Sequence, residues 1–77
     1  MKRKKLSLLT VPEIEHITAL ANFTELQADI FRMLCRDKSD AAIMIALYIS
    51  NRRFYEEKAI VYAKIHRIIG ENNQLHI

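Results

Sequence analysis

Four hydroxyl residues, each set directly before an apolar run, constrain this 77-residue chain more than any other feature. A Ser or Thr oxygen in that position accepts from the orphan amides of a helix's first turn. Thr10 is followed three residues on by Glu13, and Thr24 by Gln27, the reciprocal pairing of a capping box; Pro12 suits a first turn. Phe23 and Ala28 flank the second box as a hydrophobic staple. Ser39 and Ser50 open two further runs. A single glycine and a single proline leave little to interrupt them, which favours helices over a turn-rich β fold. The expected fold is all-α, a compact four-helix domain with helices over about 11–21, 25–36, 40–48 and 51–69.

The apolar spacing assigns a core face to each helix. Ile14, Ile17 and either Leu20 or Ala21 mark the first, with Leu8, Leu9 and Val11 before it able to fold back as an apolar flap. Leu26, Ile30, Phe31, Leu34 and Cys35 give the second a wide buried stripe and make it the spine of the core. The third runs from Ala41 to Leu47 without a polar break. A helix apolar all round calls for cover all round, either from within the chain or from a second protein molecule. The fourth carries Phe54, Val61, Ile65 and Ile68, widened by Ile60 and Ile69, with Gly70 as its expected stop. A 77-residue chain makes one domain at most: residues 1–9 read as a basic N-terminal arm, 10–70 as the helical domain and 71–77 as a flexible tail.

Between the third and fourth helices only Tyr48, Ile49 and Ser50 are left for a corner. Two helices meeting so tightly have a helix-turn-helix layout, in which the second can enter a DNA major groove. The spacing Ser39, Ile43, Leu47, Ile49, Ser50, Phe54, Val61, Lys64 and Ile65, with Phe23-Thr24, Gln27, Ile30-Phe31 and Leu34 upstream, resembles region 4 of bacterial sigma factors and the related LuxR-type DNA-binding domain. The likeness covers Phe23 to about Ile68. It implies that Ile43 and Leu47 belong to the core side of the third helix and that Ile45, with Ala41 and Ala42, falls on the outer side. It also implies that Asp37 takes the left-handed cap where the family often has glycine. Two positions depart from it: Met44 stands where the family usually has a small residue, and Tyr48 where it usually has glycine. A non-glycine residue costs about 1 kcal/mol or more in a left-handed corner, unless the turn takes another shape. The resemblance implies a small bacterial or phage regulator of transcription that recognises promoter-type double-stranded DNA and can contact RNA polymerase.

In that arrangement Arg52 is placed to donate to guanine, Asn51 to an adenine edge or a phosphate, and Tyr55 to a phosphate or a thymine methyl. Arg53, Lys58, Ser39 and Ser50 are candidate phosphate contacts. Each charge can equally be a solvated helix face. The formal charge is +3, but Lys2, Arg3, Lys4 and Lys5 supply four positives and leave the rest of the chain at −1. Glu56 and Glu57 sit beside the reading residues. Unaided affinity is therefore expected to be modest, raised by a homodimer, by a partner already on DNA, or by the basic arm tracking phosphate. The arm reads equally as a solvated tail. A second function class uses the same shape for dimerisation or docking through Ile45, Ala41 and Ala42.

Other classes find little support. The chain offers no Ser/His/Asp or Cys/His set, no glycine-rich phosphate loop and no paired-histidine motif, so neither catalysis, a metal nor a cofactor is expected. His16, His66 and His76 read as solvated side chains and Cys35 as a small core residue, in keeping with a reducing cytoplasm. The apolar run after the basic start is too short for a signal peptide, and no stretch approaches the roughly 20 apolar residues of a membrane span.

Overall fold

All four helices begin on a hydroxyl oxygen that takes up a backbone amide three residues ahead. In the computed structural model, which describes residues 6–71, α1 spans Val11–Ala21, α2 Glu25–Cys35, α3 Asp40–Leu47 and α4 Asn51–Glu71. Glu13 N–H donates to Thr10 Oγ1 (3.3 Å) and Thr10 N–H to Glu13 Oε1 (2.8 Å). Gln27 N–H donates to Thr24 Oγ1 (3.2 Å) and Thr24 N–H to Gln27 Oε1 (3.1 Å), so both capping boxes close. Ser39 Oγ accepts from Ala42 N–H and Ser50 Oγ from Arg53 N–H, each at 3.1 Å. Such caps are worth about 1 kcal/mol each and locate a helix start to the residue. The described residues are thus all-helical, with four α-helices.

The ends depend on backbone geometry instead. Among the described residues three non-glycine positions sit in the left-handed region: Asn22 (φ 54°), Asp37 (φ 59°) and Tyr48 (φ 55°). At Asp37 the reversal is complete: Asp37 N–H donates to Leu34 O (3.0 Å) and Lys38 N–H to Met33 O (3.1 Å), which satisfies two of α2's last carbonyls. At Tyr48 both its own N–H and that of Ile49 turn back to Met44 O, the latter at 3.3 Å. Met44 and Ile49 pack against the core, the apolar contact that accompanies such a cap. The corner therefore keeps the left-handed shape despite the tyrosine. The expected stop at Gly70 is corrected, since α4 continues through it to Glu71; a glycine costs about 1 kcal/mol inside a helix but does not by itself end one.

The core joins all four helices. Ile17 and Ala21 of α1, Ile30 and Phe31 of α2, Ile43 of α3, and Phe54, Val61, Ile65 and Ile68 of α4 are buried together. Of the two residues weighed for the end of α1's stripe, Ala21 is inside and Leu20 half exposed. Phe23 lies against Phe31 with ring centroids 5.2 Å apart. Truncating Phe31 or Phe54, both fully buried, would cost about 3–5 kcal/mol. The apolar flap differs from expectation in its membership: Leu6 and Leu9 are buried, while Leu8 and Val11 are exposed. Leu6–Leu8 forms a 3₁₀ turn closed by Leu9 N–H to Leu6 O (3.1 Å), and three residues per turn put positions 6 and 9 on one face. The basic residues 2–5 and the tail from 72 lie outside the described residues.

Cover for α3 from within the chain does not occur among the described residues. Ala41, Ile45 and Ala46 are exposed, Ile45 at 75% and the corner residue Tyr48 at 96%, while Ala42 is half-buried. No helix among the described residues is long and apolar enough to cross a membrane.

Candidate nucleic-acid interface

The start of α4 is held at an angle to α3 by Asp40, the first residue of α3. Its carboxylate accepts from Lys58 Nζ at 3.0 and 3.2 Å and from the Tyr55 hydroxyl at 3.3 Å. Lys58 Nζ also lies 5.7 Å from the Phe54 ring centroid and 5.9 Å from that of Tyr55. A chain that ran straight through Tyr48–Ser50 could not bring Asp40 and Lys58 together, so the chain turns between α3 and α4. Phe54 is buried at the hinge of this fold, with the Tyr55 ring set edge-on at 5.1 Å.

On the outside of the corner, Asn51, Arg52 and Tyr55 emerge together. The Arg52 side chain is 90% exposed and meets Glu56 only at 4.0 Å. An ion pair that open to water contributes little and leaves the guanidinium able to swing. Tyr55 is half exposed, with its hydroxyl steered toward Asp40. Ser39 and Ser50 sit at the exposed N-termini of α3 and α4, where their oxygens accept from amides and each O–H is left to donate. Lys58, half-buried and ion-paired with the same Asp40 carboxylate that accepts from Tyr55, braces the corner beside that ring.

Arg53 is in a different situation from Arg52. Its Nε donates to Glu57 Oε2 at 3.1 Å, and Glu57 is only 15% exposed. The other Glu57 oxygen accepts from Gln27 Nε2 at 2.9 Å. Gln27 is the one polar side chain buried in the core among the described residues. Its own Oε1 accepts from Lys64 Nζ (2.7 Å) as well as from the Thr24 amide, and Lys64 Nζ also donates to Asn22 O (2.8 Å) beside the Phe23 ring. The apolar stripe of α4 is therefore broken at Glu57 for a reason: the carboxylate ends a chain of hydrogen bonds that runs from the last turn of α1 through the first turn of α2 to α4.

Sequence reasoning placed Arg52, Asn51 and Tyr55 by spacing from the corner, and all three are exposed within the first five residues of α4. It gave Glu57 no structural role and did not foresee that Lys64 serves the carbonyl end of α1. Gln27 was legible as a cap and not as the hub of the network. No family model, curated protein or solved structure matches the chain. Its geometry and chemistry therefore carry the functional argument alone.

Two shallow clefts lie away from this corner. One, of about 260 Å³, is lined by Leu6, Ser7, Leu34, Asp37, Lys38 and Tyr62. The other, of about 180 Å³, lies between Ile14, Arg32, Cys35 and Arg36. Arg32 there is already paired with Asp29 at 2.8 Å, and burial pushes the Cys35 thiol up to about 11, which removes it as a nucleophile near neutral pH. Among the described residues no three His, Cys, Asp or Glu side chains converge to hold a metal ion.

Proposed function

We propose that α3, the Tyr48–Ser50 corner and α4 form a helix-turn-helix, and that the chain is a small cytoplasmic DNA-binding regulator of transcription, of the sigma region 4-like kind. In this reading the first turns of α4 enter the major groove of double-stranded DNA. Arg52 donates two hydrogen bonds to guanine, Asn51 reads an adenine edge or a phosphate, and Tyr55 reaches a phosphate or a thymine methyl. The hydroxyls of Ser39 and Ser50 donate to phosphates on either side.

The observation that carries the reading is the joint emergence of Asn51, Arg52 and Tyr55 beside a tight corner, with Arg52 extended into solvent and bound by nothing stronger than a 4.0 Å ion pair. Titration with duplex DNA at two salt concentrations tests it. Arg52→Ala should lose about 1–3 kcal/mol of binding to the preferred site, and the wild-type affinity should fall steeply as salt rises. Binding that ignores both the substitution and the salt would reject the reading.

A second reading is favoured by one observation, the bare outer side of α3 with Ile45 and Tyr48 exposed. It makes the helix-turn-helix a dimerisation or docking module, with a second copy of the chain or RNA polymerase as its partner. The two readings are compatible, since dimeric DNA readers use both surfaces.

A further inference from the structure

Arg52 and Arg53 are neighbours in sequence and each has a glutamate four residues ahead, yet the structure treats them differently. The Arg52–Glu56 pair is wide at 4.0 Å and bathed in solvent. The Arg53–Glu57 pair is short at 3.1 Å, and its carboxylate is largely buried. Glu57 cannot turn outward without abandoning the Nε2 of Gln27, a 4% exposed side chain whose carbonyl end is already held by Lys64 and the Thr24 amide. Arg53 keeps its terminal amino groups in solvent while Nε is held. To swing away from α4 toward a phosphate, however, it would have to leave that carboxylate partly buried and without its cation, which is costly. Arg52 gives up almost nothing when it moves.

We propose that Glu57, locked by Gln27, is a specificity-determining residue: it withholds Arg53 from the DNA backbone, so that binding to arbitrary sequence stays weak and recognition falls to Arg52. This rests on the groove-reading proposed above. Phosphate contacts supply most of the sequence-independent affinity, and each cation engaged adds to it whatever the sequence. Clamping one of two cations at the groove entrance removes one such contact while keeping its charge in place to neutralise Glu57. The surface then discriminates by what Arg52 finds.

The test is a salt titration of binding to mixed-sequence duplex DNA. Glu57→Gln keeps the shape and an oxygen and removes the charge that holds Arg53. It should steepen the slope of log affinity against log salt by about 0.9, so that between 50 and 200 mM salt the variant loses about 3.5-fold more affinity than the wild type. Adding Arg53→Gln to it should remove the gain. An unchanged slope in Glu57→Gln would overturn the clamp, as would a gain that survives in the double variant, because loss of an acid alone would then explain it. A measurement on the wild type does not depend on either variant folding: in an NMR titration with the same duplex, the Arg52 side-chain Nε–Hε signal should move and that of Arg53 should stay. A shift of Arg53 that saturates with DNA would overturn the clamp while leaving groove-reading intact. Failure of the wild type to bind in a salt-dependent way would remove both.

Discussion

Replacing Tyr48 by glycine should make the protein more stable, although it deletes a large side chain. Tyr48 holds φ 55° and ψ 45°, where a Cβ crowds the following carbonyl at a cost of roughly 1–2 kcal/mol that glycine does not incur. The side chain is 96% exposed. If full burial of a tyrosine covers about 150–250 Å², the remaining contact is on the order of 10 Å², or about 0.2 kcal/mol at 25 cal/mol per Å². Glycine's extra freedom in the unfolded chain takes back roughly 0.5–1 kcal/mol. The net expectation is a stabilisation of about 0.5 kcal/mol, which in a domain of this size raises Tm by about 2–4 °C. Tyr48→Ala is the control, because it removes the same ring but keeps the Cβ, and it should leave Tm nearly unchanged. Thermal melts followed by circular dichroism at several protein concentrations distinguish the cases. A Tyr48→Gly melt equal to or below that of Tyr48→Ala would refute the argument by showing that the corner is not left-handed, whereas both variants melting below the wild type would show that the ring is buried against another molecule. Such burial would show itself as a Tm that rises with protein concentration in the wild type alone.

Two other expectations follow from exposure and burial. Ile45→Glu, at a site 75% exposed, should change stability by less than about 0.5 kcal/mol; sedimentation of wild type and variant checks the docking reading, since an oligomer that Ile45→Glu dissociates would support it and a wild type monomeric at high concentration would count against it. The Cys35 thiol, raised by burial from 9.0 to about 11, should be alkylated about 100-fold more slowly at pH 8 than an unburied thiol, through its smaller thiolate fraction alone. Because the shift is upward, the rate should keep climbing about tenfold per pH unit past pH 9; mass spectrometry of iodoacetamide labelling that levels off near pH 9 would contradict it.

What the sequence determined by itself was the number of helices, where each begins and which face turns inward. Those features are local: a hydroxyl and an amide three residues apart, or apolar side chains recurring every three or four, meet in any helix whatever surrounds it. The left-handed cap at Asp37 was foreseen only through the family likeness, and it is present at φ 59°. The exposure of Asn51, Arg52 and Tyr55 followed from their spacing after the corner.

Only the tertiary structure decided the rest. Leu6 instead of Leu8 fills the gap beside α2 because the entering chain winds as a 3₁₀ turn, and the outer side of α3 stays bare because no other described segment passes over it. Above all, the contrast between Arg52 and Arg53 is invisible in a sequence where both carry a glutamate at the same spacing. It arises from a buried amide 30 residues away, Gln27, that closes on Glu57. Contacts across that separation leave no periodic trace in the chain, because what brings them together is the packing of α2 against α4, and that packing exists only once the core has formed.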